Sequence, residues 1–182
     1  MRKVFFYGAI SLDGFLATKN DSLQWLFDTD LGGNSSYKEF EKRIDTVVMG
    51  NTTYKETQKL MNKTSLFPGK EKIIFSRKNT GRVQEGYYVS REPVSLVKEL
   101  KSNSGKAIWI AGGGRLFTQL FIADVIDELW IQIAPVILGK GKRLFEEGDF
   151  QKRLKLVAEK RMGEFTELHL KRVRIELNKN SD

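Results

Sequence analysis

Runs of apolar residues alternate with polar, turn-forming segments along the chain, and the length and period of each run predict its structure. Short runs rich in Val, Ile and aromatic residues are typical of strands. Strands are predicted at residues 3–10, 45–50, 72–76, 86–90, 106–112 and 127–138, and two more, joined near Gly163, are predicted within 153–177.

Four other segments carry apolar residues three or four positions apart, which is the spacing of one helix face. Helices are predicted at residues 36–44, 51–61, 93–101 and 114–123. The first of them follows two capping candidates, Asn34 and Ser35. Residues 61–70 and 139–150 are the expected loops.

Strand and helix units come first in this order and a hairpin comes last. The order predicts an α/β fold with a single mixed, mostly parallel sheet, helices on both faces and a C-terminal antiparallel hairpin. One domain is expected over residues 1–177, with a frayed tail at 178–182.

Composition narrows the class of protein. The 182 residues include 40% hydrophobic residues, one His and no Cys, which is typical of one globular domain without disulfides. A cytoplasmic location is expected, and a metal site is not. The N-terminal apolar run is interrupted by Ser11, Asp13 and Gly14, so neither a signal peptide nor a membrane span is predicted. The single histidine, His169, is expected to be structural.

A net charge of +8 favours anionic partners. The Lys and Arg residues are scattered, without the dense block or the spacing of a nucleic-acid-binding motif. We therefore expect a small-molecule partner, such as a phosphorylated compound, rather than nucleic acid.

The segment IWIAGGGRLF, residues 108–117, places three glycines where a predicted strand meets a predicted helix. The start of a helix offers free N–H groups and partial positive charge, and the absence of Cβ atoms lets an anion approach. A dinucleotide fingerprint would need Gly or Ala at Phe117, and a P-loop would need Gly-Lys-Ser/Thr. Neither motif is present, so a tight turn that binds nothing remains the alternative.

Six segments, in order over nearly the whole chain, resemble the dihydrofolate reductase superfamily, and more closely its branch with the reductase domain of riboflavin biosynthesis. They are AISLDGFLA from Ala9, the region of Trp25, DTVVMGNTTY from Asp45, IIFSRK from Ile73, IWIAGGGRLF from Ile108 and DELWIQIAPVILGKGKRLF from Asp127. The last segment and SLDG favour the riboflavin branch. The resemblance implies a dihydrofolate-reductase-like fold and NADPH as cofactor, with NADH as the alternative.

The resemblance also implies which residues contact the cofactor. Ala9, Leu16 and Ala17 would border the nicotinamide; Gly50, Asn51, Thr52 and Thr53 would form a phosphate-binding turn; Ser76, Arg77 and Lys78 would meet the 2′-phosphate; and Ala111, Gly112, Gly113, Gly114, Arg115, Leu116 and Phe117 would lie along the nicotinamide and diphosphate. Asn51 stands where the family usually has Arg. The peptide bond between Gly112 and Gly113 is expected to be cis.

Candidates for the substrate side are fewer. Trp25 is expected to line the pocket. A family carboxylate that assists protonation corresponds to Asp30 when counted forward from Trp25, but to Asn34 when counted back from Gly50. Asp13 is a second catalytic candidate, although Asp-Gly pairs also form ordinary turns. The GKGKR loop, residues 139–143, is a candidate for binding a substrate phosphate.

Three functions follow as hypotheses. The first is an NADPH-dependent reductase resembling 5-amino-6-(5-phosphoribosylamino)uracil reductase, acting on a small heterocyclic substrate. The second is a dihydrofolate reductase, and the third is a non-catalytic nucleotide-binding protein. Relatives in the riboflavin branch commonly form dimers, which implies a homodimer, with segment 127–138 as a candidate contact.

Overall fold

The computed structural model describes residues 1–33, 35–61 and 65–173, so the predicted tail at 178–182 lies outside the described residues. The strands are β1 (Val4–Ser11), β2 (Phe15–Thr18), β3 (Ile44–Gly50), β4 (Glu71–Phe75), β5 (Arg82–Val83), β6 (Gly86–Val89), β7 (Ala107–Gly112), β8 (Glu128–Ala134), β9 (Gly141–Arg143), β10 (Leu154–Met162) and β11 (Phe165–Arg172). The helices are α1 (Gln24–Phe27), α2 (Tyr37–Glu41), α3 (Asn51–Leu60), α4 (Pro93–Ser102) and α5 (Gly114–Ile122).

Nine strands form one sheet in the order β10-β11-β8-β1-β7-β3-β4-β6-β5. The six central strands, β8, β1, β7, β3, β4 and β6, run parallel to one another. Strands β10, β11 and β5 pair antiparallel to their neighbours. The predicted mixed, mostly parallel sheet with a C-terminal hairpin is therefore confirmed.

A second sheet of two strands, β2 and β9, was not predicted. Thr18 pairs with Gly141, and Phe15 pairs with Arg143. Gly141 and Arg143 belong to segment 139–150, which was expected to be a loop. A three-residue strand such as β9 has too little sequence to show an alternating pattern, so only its partner reveals it.

Apolar side chains pack on both faces of the large sheet, as predicted. On one face, Phe117 and Leu120 of α5 and Val97 of α4 are fully buried against β1 and β7. On the other face, Tyr54 of α3 packs on β3 and β4. Phe40 of α2 packs against Tyr7 of β1, Trp109 of β7 and Trp130 of β8.

Two predicted elements are shorter than expected. The helix predicted at 36–44 ends at Glu41, because Ile44 pairs with Ala107 and begins β3. The strand predicted at 127–138 ends at Ala134, because Pro135 cannot donate a ladder hydrogen bond. This strand lies between β1 and β11, so its edge is not available to a second copy of the chain.

Within the described ranges, no helix combines the length and the apolar character needed to cross a bilayer.

Candidate functional site

A cleft of about 1210 Å³ lies along the carboxyl ends of the parallel strands. Ligands of α/β proteins bind at this edge, and the volume exceeds that of typical drug-sized pockets, about 300–1,000 Å³. Sixteen of the seventeen residues expected to contact a cofactor line it: Ala9, Leu16, Ala17, Gly50, Asn51, Thr52, Thr53, Ser76, Arg77, Lys78, Ala111, Gly112, Gly113, Gly114, Arg115 and Leu116. The fold thus brings four separate sequence motifs to one cleft.

The N-termini of α3 and α5 lie side by side in this cleft. Their N-cap residues are Gly50 and Gly113, and neither helix has a side-chain cap. Helix α4 differs, because the carboxylate of Glu92 accepts hydrogen bonds from the first N–H groups of that helix. The uncapped N–H groups of α3 and α5 are therefore free to bind an anion, and both helix dipoles favour one.

Gly112, Gly113 and Gly114 are each glycine for a different physical reason. Gly112 has a φ of +122°, which disfavours other residues, and the Gly112–Gly113 peptide bond is cis, as the resemblance implied. At Gly114 a Cβ would lie 1.8 Å from the Arg143 carbonyl oxygen, so only glycine lets β9 pass. At Gly113 the nearest atom to a Cβ would be Thr53 Oγ1 at 3.4 Å. Of the three positions, Gly113 is thus the one where neither the backbone conformation nor the protein's own atoms exclude a Cβ.

The gap between the two helices has the shape of a main-chain cradle. A Cβ on Gly50 would lie 3.9 Å from the Gly113 nitrogen, within the gap. A methyl group at either glycine would occupy space that a diphosphate needs. The residues present therefore fit a dinucleotide.

A turn after β4 places hydroxyl, amide and cationic groups beside the start of α3. Ser76 Oγ accepts hydrogen bonds from the backbone N–H of Asn79 (2.9 Å) and of Lys78 (3.3 Å), which leaves its own O–H free to donate. Asn79 Nδ2 donates to Asn51 Oδ1 (3.0 Å). Because its oxygen is engaged, Asn51 retains its NH₂ group as a donor for an anion.

The cleft is electropositive. Its lining includes the cations Lys55, Arg77, Lys78, Arg91, Arg115, Lys142 and Arg143 and the carboxylates Asp21, Glu56, Glu146 and Glu147, a net charge of +3. Arg91 pairs with Glu99, Lys142 with Asp21 and Arg143 with Glu147. In the part of the chain that the structure describes, Arg77, Lys78 and Arg115 have no such partner, so these charges remain available.

Phe117 is the expected cofactor contact that does not line the cleft. Its side chain is fully buried, with ring centroids 4.6 Å from Phe6 and 5.2 Å from Phe145. Its backbone N–H donates to the Gly113 carbonyl. Phe117 is one full turn into the amphipathic helix α5, where the apolar face points into the core rather than the cleft.

Asp13, predicted as a catalytic candidate, does not line the cleft. Its carboxylate accepts hydrogen bonds from Ser11 Oγ (2.6 Å) and from the backbone N–H groups of Leu138 and Gly139. These bonds, that of Ser11 above all, lower the pKa of Asp13 to about 2. Asp13 thus fastens the turn after β1 to the loop after β8.

Asp30, the other catalytic candidate, also does not line the cleft. It is exposed, and its carboxylate accepts a hydrogen bond from the backbone N–H of Gly32 (2.8 Å). Its backbone hydrogen-bonds with Glu164 in the β10–β11 turn. Counting along the sequence could not detect that the chain leaves the cleft here.

Trp25 is a core residue rather than a pocket residue. It packs with Met162 and Phe165 behind Ala9 and Leu26, and these last two residues line the cleft. Asn34, the other expected substrate contact, lies outside the described residues.

Several polar lining residues were not among the predicted cofactor contacts. Asn79 follows the SRK segment directly, and its amide pairs with Asn51 as described above. Lys142 and Arg143 belong to the GKGKR loop, for which a phosphate-binding role was considered. The guanidinium of Arg143 lies 4.7 Å from the ring centroid of Phe15, a cation–π contact that holds it beside β2.

The pKa of Asp13 gives a prediction about stability. The folded-state pKa lies below the ordinary value of 3.8, so the charged carboxylate stabilises the fold above about pH 4, and this contribution is lost as the pH falls toward 2. Asp13→Asn should therefore lower Tm at neutral pH, and the difference from wild type should shrink at about pH 2. Thermal unfolding followed by circular dichroism at both pH values measures this. A difference that does not change with pH would contradict the assignment.

The fold defines the class of protein: an α/β protein with a dihydrofolate-reductase-like fold and a cleft at the carboxyl ends of its parallel strands. Comparison with known proteins gives the family. The model of the RibD C-terminal domain matches residues 2–168, and the chain belongs to this reductase-associated family.

Two relatives come from Bacillus subtilis (strain 168). The uncharacterized protein YwjB is 32% identical over 171 residues, which cover 92% of this chain and 97% of YwjB. The uncharacterized protein YyaP is 31% identical over 167 residues, which cover 86% of this chain and 87% of YyaP.

Two solved structures share the fold. A provisionally named riboflavin biosynthesis protein from Shewanella sp. PV-4 has a TM-score of 0.82 and 24% identity, with 94% of this chain and 99% of that chain covered. A diaminohydroxyphosphoribosylaminopyrimidine deaminase/5-amino-6-(5-phosphoribosylamino)uracil reductase from Thermotoga maritima has a TM-score of 0.70 and 17% identity. The match covers 94% of this chain but only 57% of that longer chain.

Proposed function

We propose that the protein is an NADPH-dependent reductase of a small heterocyclic substrate, resembling 5-amino-6-(5-phosphoribosylamino)uracil reductase. The observation that carries this proposal is a pair of helix N-termini beside a cationic turn. Each has glycine as its N-cap residue and no side-chain cap. Membership of the RibD C-terminal domain family supports it.

The lining residues divide into three binding regions. The N–H groups at the starts of α3 and α5 would hold the diphosphate, and Ser76, Arg77 and Lys78 would hold the 2′-phosphate. Ala9, Leu16 and Ala17 would lie against the nicotinamide, which supplies a hydride when NADPH is bound. The role of the protein is then to fix this ring against the substrate and to exclude water.

NADPH is favoured over NADH by the unpaired cations near the Ser76 hydroxyl. Cations and hydroxyl donors attract the negative charge of a 2′-phosphate and donate hydrogen bonds to it. The 2′-hydroxyl that NADH carries instead would be favoured by a hydrogen-bond acceptor. Asn51, although uncharged, offers a further donor. The substitution of Asn for the usual family Arg at this position therefore still leaves a donor for the phosphate.

The two alternative functions would give different results when NADPH and a substrate are offered. A dihydrofolate reductase would oxidise NADPH with dihydrofolate; Asp30, the carboxylate that counting forward from Trp25 gives for this reaction, does not line the cleft. A non-catalytic nucleotide-binding protein would bind NADPH and oxidise it with no substrate.

The test is loss of nicotinamide absorbance when NADPH is mixed with the protein and either 5-amino-6-(5-phosphoribosylamino)uracil or dihydrofolate. The proposal expects turnover with the pyrimidine and none with dihydrofolate. NADPH binding without turnover of the pyrimidine would favour the non-catalytic alternative.

A further inference from the structure

Asn51 and Asn79 form an amide pair in the cleft, between the start of α3 and the turn after β4. Asn79 Nδ2 donates a hydrogen bond to Asn51 Oδ1 over 3.0 Å, and both residues line the cleft. Among residues 1–33, 35–61 and 65–173, the NH₂ group of Asn51 has no hydrogen-bond acceptor. The pair thus uses the oxygen of Asn51 and leaves its two N–H donors unused.

The backbone of Asn79 is held independently of its side chain. Its N–H donates to Ser76 Oγ (2.9 Å), and the N–H of Ser76 donates to the carbonyl of Val89 (2.9 Å), which ties the turn to β6. Within the described ranges, the side-chain amide of Asn79 hydrogen-bonds to Asn51 alone. Removing this amide should therefore leave the turn in place and free the side chain of Asn51.

The rotation of an amide decides what it offers to a ligand. A terminal amide presents either a donor or an acceptor at the same place, depending on which of its two ends is turned there. While Asn79 donates to Asn51 Oδ1, the end of Asn51 that remains available is its NH₂ group. If the pair were reversed, so that Asn51 donated to Asn79, the available end would be the carbonyl oxygen.

The observed rotation agrees with the other groups of the turn. The O–H of Ser76 is free to donate, and the cations Arg77 and Lys78 have no carboxylate partner in the part of the chain that the structure describes. All of these groups favour an anion, and the NH₂ group of Asn51 adds an uncharged donor to them. A reversed pair would instead place an acceptor beside the anion.

We propose that Asn79 is a positioning residue that determines cofactor selectivity through Asn51. By donating to Asn51 Oδ1, it keeps the Asn51 NH₂ group available to a ribose 2′-phosphate, whereas a reversed pair would accept a hydrogen bond from a 2′-hydroxyl. The proposal rests on the proposed function for the presence of a dinucleotide in the cleft. It adds a determinant of selectivity that does not depend on the positive charge of Arg77 and Lys78.

Asn79→Asp tests the proposal by reversing the pair. A carboxylate only accepts, so Asn51 has to turn its NH₂ group toward residue 79 and present its oxygen to the ligand. The probes are adenosine 2′,5′-bisphosphate and adenosine 5′-monophosphate, which differ only in the 2′-phosphate, and calorimetry with the full chain measures the ratio of their dissociation constants. The preference for the bisphosphate should fall about ten- to hundredfold.

Thr80→Asp is the matched control for the added negative charge. Thr80 is the next residue, is exposed and does not line the cleft. At an ionic strength of about 0.15 M, where exposed charges are screened within about 8 Å, Thr80→Asp should change the preference less than about threefold. An equal fall in both variants would show that charge, and not the rotation of Asn51, sets the preference, and would overturn the proposal.

A double-mutant cycle separates positioning from direct contact. Asn79→Ala should weaken binding of the bisphosphate about three- to tenfold and leave binding of the monophosphate unchanged. In a protein that already carries Asn51→Ala, the same substitution should have no further effect, because Asn79 acts only through Asn51. Additive losses would overturn the positioning role. A lower Tm together with weaker binding of both probes would show a structural role instead.

The probes also distinguish failure of this proposal from failure of the proposed function. If wild type binds neither probe nor NADPH, both fail. If wild type prefers the bisphosphate and Asn79→Asp keeps that preference, or if wild type has no preference, the role of Asn79 fails alone. If the preference shifts as expected but the pyrimidine substrate does not oxidise NADPH, the reductase activity fails and the role of Asn79 stands.

Discussion

Gly114→Ala should lower Tm by roughly 6–12 °C, because the new methyl group cannot be accommodated at the start of α5. Its Cβ would lie 1.8 Å from the Arg143 carbonyl oxygen and 3.0 Å from the Arg143 carbonyl carbon. These are backbone atoms of β9, which cannot move aside without breaking its pairing with β2. Overpacking of this kind costs about 3 kcal/mol, which corresponds to the stated shift for a chain of this size.

Gly50→Ala is the matched control for Gly114→Ala. Gly50 has φ −77° and ψ 156°, which any residue adopts, and its Cβ would meet the Gly113 nitrogen at an ordinary 3.9 Å. Its Tm should therefore stay within about 3 °C of wild type. Its NADPH affinity should fall at least about tenfold, since the methyl group fills the cradle. A wild-type Tm for Gly114→Ala, or wild-type NADPH affinity for Gly50→Ala, would contradict this account.

Replacing both Arg77 and Lys78 by alanine should weaken NADPH binding by about ten- to hundredfold while leaving NADH binding nearly unchanged. Both cations line the cleft, and neither has a carboxylate partner among the described residues. A hydrogen bond to a charged group contributes about 1.5–3 kcal/mol, which sets the expected range. Fluorescence titration of each cofactor measures the ratio of the two dissociation constants.

Lys98→Ala is the control for the loss of positive charge. Lys98 is an exposed residue of α4 and does not line the cleft. If its removal changes the NADPH to NADH ratio as much as the double variant does, the selectivity comes from overall charge and not from the turn after β4.

The lining of the cleft was largely predictable from sequence. Glycines and short polar segments directly follow predicted strands, and the carboxyl ends of parallel strands meet at one edge. The reason for Gly114 was not predictable, because the atom it avoids belongs to Arg143 in a strand too short to recognise. The burial of Phe117 follows from the apolar face that it shares with Leu120 and Phe121 in α5, which the family resemblance did not take into account.

The candidates for the substrate side were less predictable, because distances along the chain could not show that Asp30 lies outside the cleft. Asp30 was selected by counting, yet it is exposed and interacts with Glu164. The burial of Glu167 was not predicted, because a polar residue in a strand of alternating pattern is expected to face solvent. Ser36, beside α2, covers that face of β11, and this tertiary contact buries the carboxylate.

The central claim is that two glycine-capped helix N-termini form a cradle for a dinucleotide. The most direct test is to titrate the folded protein with NADPH and follow nicotinamide fluorescence together with Tm. The account predicts saturable binding and a Tm that rises with NADPH concentration, with about 2.7 kcal/mol of added stability at a hundredfold excess over Kd. A folded protein whose fluorescence and Tm respond to neither NADPH nor NADH would contradict it.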